Sequence, residues 1–343
     1  MRNPPPVTPA ARSGAAGRVV RRLLVLAATT TLDEIRRASA TIAGRLHRTP
    51  LVSSAALGRQ TGTRLFLKAE CLQKTGSFKP RGVLTKLAAL SARDKQRGLI
   101  TFSAGNHGQA VAYAAAAEGV GCVVVMPAYA SPAKVAACEG YGAEVVVGGD
   151  VHQAFAKVRE LQDARALTLV HPYDDPSVIA GQGTIGLEIL EDLPEVEAVI
   201  VPIGGGGLIA GIAAAVKLGR PGARVIGVEP LGAPTLHRAL QQGAPVRLDT
   251  VDTIADGLTG PIAGTLTLAA VQRFVDEVVL VSDDEIAAAL RLILERTKLL
   301  VEPAGAAATA ALLSGRVSLP AGASVVSLLS GGNIDRPRLK QLL

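Results

Sequence analysis

The chain has 343 residues, of which 48% are hydrophobic and 19% charged, so it holds enough apolar material for two domains or one large α/β unit and its body is not disordered. Trp is absent and aromatic residues make up 3%, which argues against base-stacking nucleic-acid surfaces, and no apolar run reaches the roughly 18 residues of a membrane-spanning helix. Five arginines precede the first acidic residue, Asp33, so most of the net charge of +7 comes from the N-terminal stretch. The charge is therefore weak evidence for an anionic partner.

Residues 1–29 differ in composition from the rest of the chain. They are rich in Pro, Ala, Arg and Gly and show no clear period, and the apolar run within them is too short for a signal peptide. We interpret them as a disordered extension or as the product of a start codon assigned too early, with an organelle transit peptide as the alternative. In either of the first two cases we expect them to be dispensable.

The regular part of the chain begins near Thr31, where Thr31 and Glu34 predict a capped helix start. A strand follows at Arg64–Lys68, and from there short β-branched runs alternate with alanine-rich helical stretches. The further predicted strands are Leu99–Phe102, Cys122–Met126, Glu144–Val147, Leu167–Val170, Ala198–Ile203, Arg224–Val228, Glu277–Val281 and Val325–Leu329. The predicted helices include Gly108–Glu118, Pro132–Tyr141, Val151–Gln162, Leu208–Leu218, Asp283–Thr297 and Ala304–Leu313. This alternation predicts an α/β fold with mainly parallel sheets, whose ligand sites lie at the carboxyl ends of the strands.

Lys79 is the first candidate for catalysis and lies in the stretch S-F-K-P-R-G at residues 77–82. Pro80 suits the first turn of a helix, and the residues after it predict a helix over 82–88. A lysine that is held at a helix start and partly desolvated can lose its proton near neutral pH and act as a nucleophile or base. A solvated lysine at the start of a surface helix is the alternative that this stretch alone leaves open.

Four further loops follow apolar runs and are rich in glycine, serine and polar residues. They are Ser103–Gly108, Gly204–Gly207, Glu302–Gly305 and Ser330–Asn333. Four consecutive glycines between a strand and a helix expose backbone N–H groups that suit an anion such as a phosphate. A tight turn with close packing of helix on sheet is the structural alternative for that loop.

The glycine loop also satisfies a loose dinucleotide-binding fingerprint. Gly205, Gly207 and Ala210 match its small-residue positions, and Glu229 ends the next predicted strand, where such proteins bind a ribose hydroxyl. The pattern is permissive, so a nicotinamide-dependent oxidoreductase is a rival hypothesis that depends on this loop alone.

Seven motifs in register resemble the serine/threonine dehydratase family of pyridoxal-phosphate enzymes, which have the tryptophan-synthase-β-like fold. They are S-F-K-P-R-G at 77–82, S-A-G-N-H-G at 103–108, G-Q-G-T at 181–184, G-G-G-G-L at 204–208, I-A-D-G at 254–257, V-E-P-A-G-A at 301–306 and S-G-G-N at 330–333. The resemblance runs from about Thr31 to the end of the chain, and it is closest to the threonine ammonia-lyases and serine racemases of the family. Because the chain ends soon after Asn333, we expect the short catabolic type without a regulatory domain.

This resemblance implies the type II fold of pyridoxal-phosphate enzymes, with two domains that each contain a mainly parallel open sheet flanked by helices. We expect a large cofactor-binding domain made of residues 30–95 and 175–343, and a small domain made of residues 96–174.

The resemblance also implies pyridoxal 5'-phosphate as the cofactor and a role for each loop. Lys79 would hold the cofactor as a Schiff base and then remove the substrate Cα proton, Asn106 would bind the cofactor's 3' oxygen, and Ser330 would face its pyridine nitrogen. The expected cofactor-binding residues are Phe78, Lys79, Asn106, Gly204, Gly205, Gly206, Gly207, Leu208, Glu302 and Ser330. The expected substrate-binding residues are Ser103, Ala104, Gly105, Asn106 and His107, of which Ser103, Gly105 and His107 would bind the carboxylate. For His107, a histidine at a helix start without a ligand is the alternative.

The implied reaction is β-elimination from L-threonine to 2-oxobutanoate and ammonia, with L-serine giving pyruvate. A neutral hydroxyl at Ser330 would make the cofactor ring a weaker electron sink than an acidic partner would, which favours elimination over transamination. A serine or amino-acid racemase and a dehydratase of a modified hydroxy amino acid are the alternatives within this chemistry. Serine racemases carry a serine where this chain has Ala104, and a methyl group cannot return a proton, so elimination is favoured.

Related enzymes bind a divalent cation after a strand that ends in Glu, and the matching positions here are Glu229, Ala233 and Thr235. Thr235 replaces an acid, and a hard cation needs negatively charged oxygen ligands, so we expect no metal site or a weak one at Glu229 and Ala233.

The three cysteines are an odd number without metal-ligand spacing, which predicts reduced thiols in a cytoplasmic protein. The expected partners are an amino-acid substrate and, from the family, further copies of the chain in a dimer or tetramer. We expect neither nucleic acid nor a membrane as a partner.

Overall fold

A computed structural model describes residues 30–343 of the chain. The expectation of a dispensable N-terminal extension concerns residues 1–29 and lies outside the described residues. Between residues 30 and 343, none of the helices is long and apolar enough to cross a membrane.

Most strands and helices lie within one or two residues of the bounds predicted from the sequence. The strands are β1 (Leu51–Ser53), β2 (Arg64–Ala69), β3 (Leu99–Phe102), β4 (Cys122–Met126), β5 (Glu144–Val147), β6 (Thr168–Leu169), β7 (Ala198–Pro202), β8 (Arg224–Pro230), β9 (Glu277–Val281) and β10 (Ser324–Leu329). The helices are α1 (Leu32–Ile42), α2 (Ala55–Thr61), α3 (Lys79–Ala89), α4 (Ala92–Gln96), α5 (Asn106–Glu118), α6 (Pro132–Gly140), α7 (Val151–Arg165), α8 (Pro176–Asp192), α9 (Gly207–Gly219), α10 (Thr235–Gln242), α11 (Thr265–Phe274), α12 (Asp283–Thr297), α13 (Pro303–Leu313) and α14 (Arg336–Leu342). The predicted capping box at the start of α1 is present, with Thr31 and Glu34 bonded to each other's backbone N–H groups.

Two separate sheets organise the chain. Six strands form the larger sheet in the order β1-β2-β10-β7-β8-β9, and four strands form the smaller sheet in the order β5-β4-β3-β6. Among the described strands, all neighbours pair in parallel except β1 and β2. The prediction of an α/β fold with mainly parallel sheets flanked by helices is confirmed. The smaller sheet is built from residues within 99–169, whereas the exact division of the chain into two domains stays a prediction.

Helices cover both faces of each sheet, which explains why the central strands are continuous apolar runs in the sequence. Every residue of β4, β7 and β10 is buried. On the larger sheet, α8, α9 and α11 pack on one face and α12 and α13 on the other. On the smaller sheet, α3 and α5 pack on one face and α7 on the other. Helix α3 therefore belongs to the core beside the smaller sheet as well as to the site described below.

Helix α8 is missing from the sequence prediction, because glycines inside it lower the intrinsic helix propensity. The structure shows what these glycines do. A Cβ on Gly181 would lie 2.5 Å from the Arg81 carbonyl oxygen, and a Cβ on Gly183 would lie 2.9 Å from the Ile35 side chain and 3.0 Å from the Gly211 carbonyl oxygen. The G-Q-G-T motif therefore allows α8 to pack closely against α1, α3 and α9.

A buried network of charges lies beneath the start of α3. Arg81 donates to the two carboxylate oxygens of Glu70 at 2.8 and 2.9 Å and to those of Glu188 at 2.6 and 3.0 Å. Lys68, which is fully buried, pairs with Glu188 at 2.6 Å and donates to the Thr49 carbonyl oxygen at 2.7 Å. Charges removed from water remain tolerable only when they are paired and hydrogen-bonded, and here the pairing connects β2, α3 and α8.

Replacing Glu70 with glutamine is expected to lower the free energy of unfolding by about 3 kcal/mol, because Arg81 then keeps its buried charge with one carboxylate partner fewer. This loss of stability is at the low end of the range for breaking a buried ion pair, because Glu188 remains as a partner of Arg81. Urea unfolding followed by circular dichroism measures it. Glu160→Gln, which removes one partner of the exposed Lys157–Glu160 pair, is the control and should change stability by less than about 0.5 kcal/mol. Equal effects of the two substitutions would contradict the role given to the network.

Candidate active site

The start of α3 places Lys79 against the end of β10. The backbone N–H of Phe78 donates to the Ser330 carbonyl oxygen at 3.1 Å, and Ser77 pairs with Gly331 in an isolated antiparallel bridge. A proline lies in the first turn of α3, as the sequence predicts. Lys79 is therefore held between a helix start and a strand end, and the alternative of a solvated lysine on a surface helix is wrong.

The Lys79 amine has two contacts that suit a cation, yet its burial outweighs them. Its Nζ donates to the Pro172 carbonyl oxygen at 3.0 Å and lies 5.1 Å from the centre of the Phe78 ring. Burial lowers the pKa of Lys79 to about 8, although the Glu302 carboxylate acts to raise it. A larger fraction of Lys79 than of an ordinary lysine is therefore a neutral amine near neutral pH, which is the form that acts as a nucleophile or base.

Asn106 is oriented by two neighbours from distant parts of the chain. Its Nδ2 donates to Glu302 Oε1 at 2.6 Å, and its Oδ1 accepts from Asn333 Nδ2 at 2.8 Å. Burial raises the pKa of Glu302 to about 7, and the Asp256 carboxylate adds to this rise, whereas the hydrogen bond from Asn106 opposes it. These contacts connect the loop after β3 to the loops that begin α13 and follow β10.

The glycine loop after β7 depends on its lack of side chains. Gly206 has a φ of +89°, which residues with a Cβ rarely adopt, and a Cβ there would lie 2.7 Å from Leu236. A Cβ on Gly205 would lie 2.1 Å from the Tyr173 ring, and one on Gly207 would lie 2.8 Å from the Tyr173 carbonyl oxygen. No side chain in residues 30–343 caps α9, so the first N–H groups of that helix can bind an anion. The same glycines thus allow Tyr173 and Leu236 to pack closely against the loop and leave its N–H groups accessible to an anion.

The loop Ser103–His107 connects β3 to α5. The Gly105 N–H donates to the Ser103 hydroxyl at 3.1 Å, so this serine closes the turn. His107 Nε2 lies 3.0 Å from the Val170 carbonyl oxygen and must donate to it, because a carbonyl oxygen only accepts. Burial lowers the pKa of His107 to about 3, with the Lys79 charge also lowering it, so the ring is neutral. His107 can therefore favour a substrate carboxylate only through its backbone N–H at the start of α5.

Four helix starts meet at this place. Helices α3, α5, α9 and α13 begin here, and no described side chain caps any of them at its own N-cap position. Helix N-termini carry partial positive charge, so their convergence favours an anionic ligand. The contacts bring together these residues of the predicted set: Phe78, Lys79, Asn106, the glycine loop, Glu302 and Ser330. Ala104 follows Ser103 in the same loop, while the Leu208 side chain packs into the core of the larger sheet.

Comparison with known proteins agrees with this geometry. A family model described as pyridoxal-phosphate dependent enzyme matches residues 42–331. The chain belongs to this family. The catabolic L-threonine dehydratase of Escherichia coli (strain K12) is 45% identical over 313 residues, which cover 91% of this chain and 95% of that protein. The solved structure of a threonine deaminase from the organism abbreviated T.th. has a TM-score of 0.84 and 45% identity and covers 89% of this chain and 99% of its own. Maize serine racemase has a TM-score of 0.87 and 37% identity, with coverage of 91% and 96%.

The residues of this pyridoxal-phosphate enzyme fit its cofactor. An aldehyde needs an amine that is partly neutral, which Lys79 supplies, and a phosphate needs backbone N–H groups, which the glycine loop exposes. The Ser77 hydroxyl is buried without a hydrogen-bond partner among residues 30–343, and the Ser330 hydroxyl reaches the Ala304 carbonyl oxygen at 3.4 Å, a long distance for an O–H donor. Both hydroxyls can thus accept or donate a further bond to a polar ligand.

Glu229, the acid of the dinucleotide fingerprint, serves another purpose. Its two carboxylate oxygens accept from the N–H groups of Leu236 and His237, both at 2.8 Å, at the start of α10. Burial raises the pKa of Glu229 to about 8, against the effect of these N–H groups. An enclosed acid that caps a helix is not accessible to a ribose hydroxyl, and the matched family gives no support to the nicotinamide alternative.

The positions considered for a metal are also engaged within the chain. The Ala233 carbonyl oxygen accepts from the Thr235 N–H at 3.0 Å, and the Thr235 hydroxyl donates to the Gly260 carbonyl oxygen at 2.7 Å. The described part of the chain contains no group of three or more His, Cys, Asp or Glu side chains arranged for a metal ion. The weak or absent dependence on divalent cations stays a prediction.

The segment between β6 and α8 contributes to the site and is missing from the sequence prediction. Pro172 accepts from the Lys79 amine, and the Tyr173 hydroxyl donates to the Ile262 carbonyl oxygen at 2.9 Å. The Asp174 carboxylate accepts three N–H groups at the start of α11. Because the segment directly follows a predicted strand, the rule that ligand sites lie at strand ends indicates it, although its residues form no recognised motif.

The pKa of Lys79 predicts how fast the cofactor-free enzyme recovers pyridoxal phosphate. The rate of attachment is expected to rise about tenfold per pH unit up to a pH of about 8 and to level off above it, because only the neutral amine attacks an aldehyde. An unshifted lysine would instead give a rate that rises up to the ordinary pKa of 10.5. Stopped-flow absorbance of the enzyme at a series of pH values measures the rate. A rate that still climbs tenfold per unit well above pH 8 would show that the amine is not desolvated.

Proposed function

We propose that this chain deaminates L-threonine to 2-oxobutanoate and ammonia, and that it converts L-serine to pyruvate in the same way. The observation that carries the proposal is the partly buried amine of Lys79, which has a pKa of about 8 and lies where four helix starts converge. The names of the E. coli dehydratase and the T.th. deaminase, each 45% identical to this chain, support threonine as the substrate.

Groups from both sheets would hold the cofactor. The N–H groups of Gly204, Gly205, Gly206 and Gly207 and of Leu208 would bind its phosphate, the Asn106 amide would bind its 3' oxygen, and the Phe78 ring would pack beside it. Glu302 acts through Asn106, because its carboxylate accepts from that amide at 2.6 Å and fixes which way it points. When bound, pyridoxal phosphate supplies an electron sink that makes the Cα proton of an amino acid removable.

Lys79 is the base of the reaction. Its Nζ takes the Cα proton, and its lowered pKa keeps part of it neutral at the pH of the cell. The Pro172 carbonyl oxygen, which accepts from Nζ at 3.0 Å, restricts the directions in which the amine can turn. The substrate carboxylate binds at the start of α5, where the loop residues Ser103 to His107 present backbone N–H groups and the helix dipole favours negative charge.

Loss of the substrate's β-hydroxyl follows removal of the Cα proton. The net reaction balances, because threonine contains the atoms of 2-oxobutanoic acid and ammonia. Ser330 would offer a neutral hydroxyl, and no acid, to the cofactor's pyridine nitrogen, which would favour elimination over transamination.

Racemisation is the second candidate, favoured by the structural similarity to maize serine racemase, with a TM-score of 0.87. Returning a proton to the opposite face of Cα requires a second acid, in addition to Lys79. Ala104 occupies the position at which the resemblance to serine racemases implies a serine, and its methyl group cannot donate a proton. The neighbouring Ser103 hydroxyl already accepts the Gly105 N–H within its own turn. Elimination is therefore the better-supported activity.

We further propose that the enzyme works as a homodimer or homotetramer in the cytoplasm and that residues 96–174 form its small domain. Cys71, Cys122 and Cys138 are all free thiols, which fits a reducing compartment. The four-stranded sheet formed from residues within 99–169 supports the domain division.

Replacing Lys79 with alanine is expected to lower turnover of L-threonine by more than about 10³-fold, because the base and the attachment point of the cofactor are lost together. The visible absorption of the bound cofactor should disappear, while the circular dichroism spectrum stays that of a folded protein. Lys157→Ala, which changes a surface lysine on α7, is the matched control and should keep full activity. Turnover by Lys79→Ala at the level of the unchanged enzyme would exclude this lysine as the base.

Replacing Ala104 with serine is expected to introduce measurable formation of D-serine from L-serine, whereas the unchanged enzyme should form pyruvate with negligible D-serine. The added hydroxyl supplies the proton donor that the loop lacks. Chiral chromatography of the reaction, run alongside an assay for oxo acids, gives both rates. Ala104→Gly, which adds no donor, is the control. D-serine that accumulates faster than pyruvate with the unchanged enzyme would overturn the choice of elimination.

A further inference from the structure

An ion pair joins the two halves of the molecule beside the site. Lys134 lies on α6, which packs against the core of the smaller sheet. Asp256 begins a 3₁₀ turn, Asp256–Leu258, whose Leu258 packs into the core of the larger sheet. Lys134 Nζ donates to Asp256 Oδ2, and the exposed fractions of the two side chains are 17% and 58%. The lysine is thus largely enclosed, while its partner faces solvent.

The enclosed end of Lys134 covers the loop that connects β3 to α5. The atoms nearest to a Cβ placed on Gly105 would be Lys134 Nζ, Cε and Cδ, at 3.7, 3.9 and 4.0 Å. Gly105 is the N-cap residue of α5 and the centre of the proposed carboxylate-binding loop. The lysine side chain therefore lies against the backbone that meets the substrate.

The other end of the ion pair borders Glu302. A Cβ on Gly257 would lie 2.9 Å from Ala304 Cβ and 3.8 Å from Glu302 Oε1, so the turn that carries Asp256 packs on the start of α13. After burial, Asp256 is the strongest influence that raises the pKa of Glu302, and Lys134 lowers that pKa. The pair thus spans from the carboxylate-binding loop to the buried acid that orients Asn106.

We propose that Lys134 is a positioning residue, whose ion pair with Asp256 holds the loop Ser103–His107 at a set distance from Glu302 so that an amino acid binds in reach of Lys79. The proposal rests on the proposed function and adds the residues that set the distance between the loop Ser103–His107 and Glu302. An alternative role for Lys134 is direct binding of the substrate carboxylate by its ammonium group. The two roles differ because a positioning role requires Asp256, whereas a direct contact does not.

A double-mutant cycle separates these two roles. Lys134→Met keeps most of the side-chain stem, and Asp256→Ala removes the carboxylate. Each change in the complete enzyme is expected to raise the KM for L-threonine about two- to fivefold, as expected for a partly exposed ion pair, and to change kcat by less than about twofold. The double variant should be no worse than either single one, because the second change removes a partner that is already alone. Increasing salt should raise the KM of the unchanged enzyme towards that of the variants.

Additive effects of the two substitutions would overturn the proposal in favour of direct binding by Lys134, and an unchanged KM in both single variants would overturn it outright. Lys157→Met, which breaks an exposed ion pair within α7, is the matched control and should leave the KM unchanged. Hydrogen exchange of the enzyme with bound cofactor gives a test that needs no turnover. Amides of residues 103–107 and 254–258 should exchange faster in both single variants, and unchanged exchange at both segments would contradict the proposal. If the enzyme does not deaminate threonine, only the proposed function is contradicted. The hydrogen-exchange measurement still tests the role of the ion pair, because it needs no turnover.

Discussion

The backbone junction between the start of α3 and the end of β10 is the constraint on which the site depends. Two backbone contacts, Ser77 with Gly331 and Phe78 with Ser330, attach the two residues before Lys79 to the end of a central strand of the larger sheet. Buried charges on Arg81 and Glu70 hold the first turn of the helix. These contacts fix the backbone from which the Lys79 side chain extends, and the amine itself is held by its hydrogen bond to the Pro172 carbonyl oxygen. Burial of that amine is the physical source of its lowered pKa.

Around that amine, backbone N–H groups and helix dipoles favour an anion, and the Lys134 ammonium lies close to the loop Ser103–His107. Converging helix starts supply partial positive charge, and the glycine loop gives access to their N–H groups. His107 is neutral because burial lowers its pKa, and burial raises the pKa of Glu302 to about 7. Such a site suits a cofactor and substrate that carry negative charges of their own, because backbone N–H groups and helix dipoles stabilise those charges.

The two sheets contribute unequal parts of the site. The larger sheet supplies Lys79, the glycine loop and Ser330, which are held by long parallel strands. The smaller sheet supplies the loop Ser103–His107 and, after its last strand, the segment with Pro172 and Tyr173. Parallel strands end at one edge of a sheet, and the contacts of Pro172 with Lys79 and of Tyr173 with the glycine loop bring the loops of the two sheets together. Neither sheet alone fixes the distance between its loops and those of the other sheet. Contacts between the two sets of loops, such as the Lys134–Asp256 ion pair, can adjust that distance.

By itself, the sequence determined the α/β class, the bounds of most strands and the candidates Lys79, Asn106 and Ser330, because strands buried on both faces leave continuous apolar runs and strand ends leave recognisable loops. It did not indicate α8, whose glycines lower helix propensity and are explained only by the helices packed against them. Nor did it indicate Tyr173 against the glycine loop, Glu188 beside Arg81 or the pairing of Lys134 with Asp256. These contacts join residues far apart in the chain, and only tertiary structure decides them, because local spacing carries no information about which distant side chains become neighbours.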